Sequence, residues 1–364
     1  VTQPDGTPLV EAIVPVHDVG RPIGRAVGSL LRSGLDPRSE LRITVVCHNI
    51  DVDRIGALLP PDARDVVRLL SLEDGVPSPA GPFNLGIAAA DGRFVTIMGS
   101  DDQLADGALA AWVAFADRQR LDLVIPPERH DSGKVVRTPP VRPGRRAPLH
   151  PLRDRLAYRT APLGLLRREL FAADPSLRFP GHLRNGSDQI VGLRLWFSGA
   201  RIGYARGLPP YIVGSDASTR VTFTVRTAED EFAAVRDLVG DPWFRARSGR
   251  ERRAIVAKTV RVHLFSGALV RTTADRWTPE DREHLAGLVE LFAELAPGYE
   301  RVLSIADRRL LDALAAGDAS TPALATLLRQ RTRFGHPMTV LPRDPRRLLA
   351  ADGPLRFMVA ARLL

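Results

Sequence analysis

The chain is nearly without lysine: of its 51 basic residues only Lys134 and Lys258 are lysine, and the other 49 are arginine. It has one cysteine, Cys47, in 364 residues. A single thiol excludes an internal disulfide framework and any cysteine-cluster zinc or iron–sulfur site, and it points to the cytosol. No run of about 18 uncharged apolar residues exists, so no transmembrane helix is expected. The opening residues, VTQPDGTPLVEA, have no basic stretch followed by an apolar run, so no secretory signal is read there. Aromatic residues are scarce, at 6%. That leaves no stacking platform for single strands, and no nucleic-acid recognition motif appears.

What is present is an average soluble composition, with 44% apolar and 26% charged residues. A packed core is expected and wholesale disorder is excluded. The length allows two domains, or one large domain with an appendage. The net charge is +9 and is carried by arginine, which grips phosphate bidentately and stays charged in any environment. A coding bias toward arginine produces the same ratio. The charge admits four partners: nucleic acid, anionic membrane, a phosphorylated polymer or a nucleotide substrate. Composition does not choose among them.

The first hundred residues alternate apolar runs with helical spacing. Glu11–Val16, Leu41–Cys47, Asp65–Leu70, Arg93–Met98 and Leu121–Ile125 read as strands. Pro22–Arg32, Arg54–Leu59, Pro82–Ala90 and Gly107–Arg118 read as helices. This order predicts a mostly parallel sheet flanked by helices, with ligands at the carboxyl ends of its strands. Residues 126–160 are rich in Pro and Arg and weak in periodicity. A helix is expected near Leu163–Ala172, another over Asp188–Ser198, and a strand near Ala200–Ala205. From about 227 onward the pattern is helical, with Thr278-Pro279-Glu280-Asp281 as a helix start. The boundary is placed near 225, between a catalytic domain (1–225) and a helical region (226–364).

Asp101-Asp102 directly follows a buried strand. Carboxylates at a strand end suit a divalent cation that bridges phosphate oxygens. The same acids also suit the N-terminus of the following helix. Asp188 sits where a loop enters a helix. It reads as a first-turn acid or as a general base facing the cleft. His17 and Asp18, after the first strand, read as nucleotide-pocket residues or as a surface turn. Cys47 reads as a buried strand-end residue, and His182 as a structural histidine or a phosphate contact.

Together these pieces resemble the family 2 glycosyltransferases, inverting enzymes of the GT-A fold. Ile13-Val14-Pro15-Val16-His17-Asp18 resembles the family's opening strand. Gly75–Asp102, GVPSPAGPFNLGIAAADGRFVTIMGSDD, follows its run from a Gly-rich turn to D-S-D-D. Arg178–Gln189 resembles the segment that carries its E-D-Q motif. The resemblance covers roughly residues 10–215. It implies a nucleotide-diphosphate sugar, in the first place a UDP-sugar, lying across the strand ends, with Mn2+ or Mg2+ on the diphosphate. It implies one displacement with inversion. By position it makes Asp101 and Asp102 the metal ligands and Asp188 the base. Pro15, Val16, His17, Asp18, His48, Asn49, Asn84, Ser100 and Asp101 become the donor-binding residues.

The sequence departs from the family at Gly99, where the first acid of the metal motif usually stands. Ser187 replaces the Glu before the base, and Phe83 an Arg. Cys47-His48-Asn49 replaces the acids that read the base ring. These departures put the base identity, the metal strength and turnover itself in question. A non-catalytic nucleotide-sugar-binding protein and a basic nucleic-acid-binding protein are the alternative readings. The helices after the core resemble the linker of polyribitol-phosphate glycosyltransferases. That implies a polyanionic or lipid-linked glycan acceptor, no nucleic acid, and a place at the inner face of the membrane. The Arg-rich stretch 137–155 reads as an acceptor groove or a solvated loop. The final FMVAARLL reads as packing on its own domain or as a peripheral membrane contact. Oligomeric state is not legible.

Overall fold

A computed structural model describes residues 7–215 and 226–363. They fall into two compact units. Residues 7–137, 144–150 and 159–215 form the first; residues 138–143, 151–158 and 226–363 form the second. The stretch 126–160 is therefore divided between the two units, rather than being a single excursion from the first. Residues 220–225, where the domain boundary was expected, lie outside the described residues.

The first unit is built on a seven-stranded sheet. Its strands are β1 (Val10–Val16), β2 (Leu41–His48), β3 (Val67–Leu72), β4 (Phe94–Ile97), β6 (Leu123–Ile125), β9 (Leu165–Arg167) and β10 (Ile202–Tyr204). The spatial order is β10-β6-β9-β4-β1-β2-β3. All neighbours pair in parallel except β9, which is antiparallel to both β4 and β6. A smaller four-stranded sheet has the order β5-β11-β7-β8, with β5 at Gln103–Leu104, β7 at Glu128–His130, β8 at Val135–Val136 and β11 at Tyr211–Val213.

β1 lies inside the sheet, between β4 and β2. That position explains its near-continuous apolar run, since a central parallel strand is covered on both faces. Its one acid, Glu11, is fully buried. It accepts hydrogen bonds from Thr44 Oγ1 (2.7 Å) and the Asp91 N–H (3.1 Å), and it pairs with Arg68. A buried carboxylate survives only with partners of this kind.

Around the sheet run α1 (Ile23–Leu31), α2 (Val52–Gly56), α3 (Ala80–Ala88), α4 (Ala108–Gln119), α5 (Arg168–Ala173) and α6 (Ser187–Trp196). Ile23, Ala26, Val27 and Leu30 form the buried stripe of α1. The helix expected over Leu163–Ala172 is instead strand β9 followed by α5. Leu165 and Leu166 are buried between β4 and β6. Sheet pairing there overrides helical spacing, as tertiary context often does.

The second unit is helical. It contains α7 (Ala228–Glu231), α8 (Ala233–Gly240), α9 (Pro242–Arg245), α10 (Gly249–Thr259), α11 (Phe265–Thr273) and α12 (Pro279–Leu295). It ends with α13 (Ile305–Ala316), α14 (Thr321–Arg331), α15 (Pro337–Val340) and α16 (Pro354–Arg362). Thr278 caps α12 by accepting from the Asp281 N–H, the start expected from the sequence. A π-helical turn, Val260–Leu264, separates α10 from α11. From that turn Arg261 donates to Tyr158 Oη (2.8 Å), the Asp352 carbonyl (2.9 Å) and the Val302 carbonyl (2.6 Å). One guanidinium thus ties three separate segments of the unit. In α16, Ala360 is buried and Phe357 meets Tyr158 edge-on at 4.8 Å. Among the described residues no helix is long and apolar enough to cross a membrane.

Two glycines test the packing with opposite signs. A Cβ on Gly86 of α3 would lie 2.3 Å from Ile13 Cγ2, whereas one on Gly287 of α12 would meet nothing within 4 Å. Gly86→Ala is expected to cost about 1–3 kcal/mol by overpacking α3 on β1. Gly287→Ala should add about 0.5–1 kcal/mol by lowering the entropy of the unfolded chain. Urea unfolding curves of both variants check this, and equal signs would contradict the packing described.

Candidate active site

The carboxyl ends of β1, β2 and β4 bring the polar groups together. After β4 the chain turns through Gly99-Ser100-Asp101-Asp102, with the Asp102 N–H bonded to the Gly99 carbonyl at 3.1 Å. Asp102 is half-buried. Its Oδ2 accepts the Tyr211 hydroxyl (2.6 Å) and its Oδ1 accepts the Gly214 N–H (2.9 Å). Burial raises its pKa, partly opposed by the hydrogen bond from Tyr211. Asp101 is buried and is held by other groups. Its Oδ1 pairs with Arg21 Nη2 at 2.5 Å, and its carbonyl accepts Arg25 Nη2 at 2.9 Å. Arg21 Nε also donates to Ser100 Oγ (2.7 Å). The two acids expected to share a cation therefore have different partners, and both oxygens of Asp102 accept hydrogen bonds within the protein.

Space explains the missing first acid. A Cβ at Gly99 would lie 2.7 Å from Asp102 Oδ2 and 3.0 Å from Asp101 Oδ1. A carboxylate side chain there would crowd both acids. Gly214 is held more tightly still, because a Cβ on it would lie 1.9 Å from the Asp101 carbonyl.

Pro15 and Val16 close β1, with Val16 fully buried. His17 follows at the surface, and the Asp18 carboxylate accepts the Gly20 N–H at 2.9 Å. The pKa of His17 lies below its ordinary value, first because its ring is partly desolvated and then because Arg21 is near; Asp18, His48 and Asp101 also act on it. Residues from the ends of three strands thus share one electrostatic field. At the end of β2, His48 is buried and its Nε2 lies 2.8 Å from Asp74 Oδ1. Asn49 has φ +54°, and its Oδ1 accepts the N–H groups of Asp74 (3.1 Å) and Gly75 (3.0 Å). His48 and Asn49 therefore shape the turn after β3. The carboxylate of that turn, Asp74, is lowered by the Val76 N–H first and by His48 next.

Asn84 lies elsewhere. Its side-chain amide clamps the backbone of Phe179, donating from Nδ2 to the carbonyl (2.8 Å) and accepting the N–H on Oδ1 (2.9 Å). Ser78 Oγ donates to the Leu183 carbonyl at 2.7 Å, and Phe83 packs on Phe179 at 5.2 Å between centroids. These contacts fasten the segment that leads to Asp188. Asp188 stands half-buried in the first turn of α6, next to buried Ser187, while α6 is anchored by Trp196 Nε1 on the Arg159 carbonyl (2.8 Å). Phe83, where the family often has Arg, belongs to this clamp. His182 is exposed and Cys47 fully buried, with its thiol pushed up to about 11 by desolvation.

Arg21, Arg25, Asp74, Ser78 and Tyr211 were not singled out in the sequence. Arg21 and Arg25 left a signal there. Two cations at the start of a helix oppose its dipole and need an anion to hold them. Asp101 supplies one.

The profile of "Glycosyl transferase family 2" matches residues 11–173. Over that stretch, somewhat under half of its length, the chain is similar to the family 2 glycosyltransferases. It is similar to poly(ribitol-phosphate) beta-N-acetylglucosaminyltransferase TarS of Staphylococcus aureus strains Mu50 and MW2, at 23% identity over 226 residues. That match takes in 62% of this chain and 39% of TarS, so the chain spans well under half the length of these curated relatives. In structure it resembles residues 1–349 of S. aureus TarS in complex with UDP-GlcNAc, with a TM-score of 0.71 and 18% identity, over 88% of this chain and 90% of that one. The same TarS portion without that ligand gives a TM-score of 0.69 over the same shares. The likeness shows the fold: the GT-A-type sheet with a helical region after it.

Family 2 domains imply a divalent cation, and the donor set here is small. Among the described residues there is no group of three or more His, Cys, Asp or Glu side chains placed to hold one. Asp101 stands at the strand end, where its carboxylate is paired with Arg21, so a cation there would have to share it with that guanidinium. One carboxylate suffices for Mg2+ or Mn2+ when substrate phosphates and water complete the shell.

The cluster makes a spectroscopic prediction. In an NMR titration the His17 ring should show a midpoint below 6.5, the ordinary value from which it is displaced. Arg21→Ala should move it upward, since one repelling cation is gone. An unchanged midpoint would separate His17 from this field.

Proposed function

We propose that the first unit transfers a sugar, of the N-acetylglucosamine class, from a uridine diphosphate donor to a hydroxyl of a polyol-phosphate polymer. The observation that carries this reading is the Arg21–Ser100–Asp101 cluster at the ends of β1 and β4, beside His17 and His48. It supplies positive charge and a carboxylate where a parallel sheet takes nucleotides. TarS, named for that sugar and that polymer, supports the choice of donor and acceptor. Pro15, Val16, His17 and Asp18 flank the nucleoside. His48 and Asn49 fix the turn over the base ring. Asn84 acts at one remove, by fastening the Phe179 segment.

In the reaction the acceptor hydroxyl attacks the anomeric carbon from the face opposite the diphosphate. The bond to the diphosphate oxygen breaks as the new glycosidic bond forms, and the configuration inverts. Asp188 accepts the proton of the attacking hydroxyl. Asp101 would hold a divalent cation, which when bound neutralises charge on the departing diphosphate. Asp102 keeps the turn in place through Tyr211 and Gly214. Arg21 and Arg25 hold Asp101 and its backbone in register for the diphosphate.

Asp188→Asn is nearly isosteric and keeps a first-turn side chain on α6. Turnover of UDP-GlcNAc with a polyol-phosphate acceptor should fall about a hundred- to ten-thousandfold. UDP affinity should stay within about twofold of the parent, which is under half a kcal/mol. Turnover at the parental rate would remove Asp188 as the base. UDP-GlcNAc binding by the parent with no turnover on any polyol-phosphate would contradict the proposed reaction.

A further inference from the structure

Arginine also gathers far from the strand ends in sequence, wholly within the helical unit. A cavity of about 390 Å³ lies between the first turns of α10, the tight turn Tyr299–Val302 and the segment 347–352. Arg250, Arg253, Arg301 and Arg347 line it. Among the described residues, none of these four side chains has an ion-pair partner or a hydrogen bond. Other arginines of the same unit are paired: Arg308 with Asp312 (2.7 Å), Arg331 with Asp307 (3.1 Å) and Arg343 with Asp312 (2.6 Å).

The cavity offers those four charges little compensation. Asp352 is the only acid on its wall. Arg261 and Arg155 already act on that carboxyl, and burial pushes its pKa up. Glu251, in the first turn of α10, is engaged by the Ser248 N–H at 2.8 Å in the helix cap. The positive end of α10 faces the same region and adds to the field. Four guanidinium groups around one recess repel each other unless an anion joins them. Their planar forks match phosphate oxygens in pairs. Leu152, Tyr299 and Val302 supply wall for carbon between phosphates. The volume is toward the small end of the roughly 300–1,000 Å³ usual for ligand pockets.

We propose that this cavity binds the phosphodiester backbone of a polyol-phosphate polymer. Its role as an acceptor anchor rests on the glycosyl-transfer reading above, whereas the binding itself does not. The site is a recess rather than a flat basic face, which favours a thin chain entering it over a lipid surface lying across it.

The full chain, without donor, should be titrated calorimetrically with a short glycerol-phosphate oligomer and separately with UDP. The parent should bind the oligomer, and affinity should fall as salt rises. The pair Arg250→Ala with Arg301→Ala should weaken oligomer binding by about tenfold or more, which is about 1.4 kcal/mol. UDP binding should stay unchanged, which separates this site from the strand-end cluster. Arg347→Ala alone, on another wall, should weaken the oligomer in the same direction and covers the case in which the double variant does not fold. Replacing Arg250 and Arg301 by Lys should recover part of the loss. No binding by the folded parent, equal affinity in the Ala variants, or capture by phosphatidylglycerol vesicles with none by the oligomer would each overturn the proposal.

Discussion

The hydrogen bond from the Tyr211 hydroxyl to the half-buried Asp102 carboxylate is the contact on which the first unit's site depends. A partly desolvated carboxylate is costly without donors, and desolvation pushes its pKa upward. Tyr211 is itself fully buried, which raises its pKa well above the ordinary value and keeps the hydroxyl protonated as a donor. The Gly214 N–H occupies the second oxygen. Together they tie β11, from the small sheet, to the turn after β4, from the large one. Remove the tie and the turn that carries Asp101 loses two of its hydrogen bonds.

That tie has consequences through the rest of the cluster. With Asp102 held by Tyr211 and Gly214, Asp101 meets Arg21 and Arg25 at the start of α1. Gly214 sits so close to the Asp101 carbonyl that no side chain fits there. Gly99 is bare for a related reason, because both acids fold back over it. The absence of the family's first acid is thus matched by a turn with no room for one. Charge lost at position 99 leaves Asp101 facing Arg21, so local balance is kept by a guanidinium, and a cation binding with the donor would have to share that carboxylate.

Much of the sheet was legible because its strands are apolar runs broken by turn residues. β1 and β2 read correctly since both faces are buried and the pattern is continuous. β9 did not, because Leu165 and Leu166 sit at spacing equally suited to a helix, and only pairing with β4 and β6 decides. The break in α10–α11 was also hidden, as a π-turn leaves no mark in periodicity. Within the site, motif order pointed to Ser100, Asp101 and Asp188. It did not separate the tasks of Asp101 and Asp102, since adjacent identical residues differ only in where the chain turns them. Nor did it reach Tyr211, which lies 109 positions from Asp102. Asn84 shows the same limit: the motif located it, while its partner Phe179 comes from a distant segment.

The central claim is a division of labour between two adjacent acids, Asp101 for the donor and Asp102 for the turn. Calorimetric titration of UDP with Mn2+ into Asp101→Asn and Asp102→Asn, each with its urea unfolding curve, tests it most directly. The account predicts that Asp101→Asn unfolds like the parent but loses most of the Mn2+-dependent gain in UDP affinity. It predicts that Asp102→Asn is less stable, by about 1–3 kcal/mol for a disturbed buried network, and that whatever remains folded still shows the Mn2+-dependent gain. A stable Asp102→Asn that has lost the Mn2+-dependent gain, beside an Asp101→Asn that keeps it, would contradict the account.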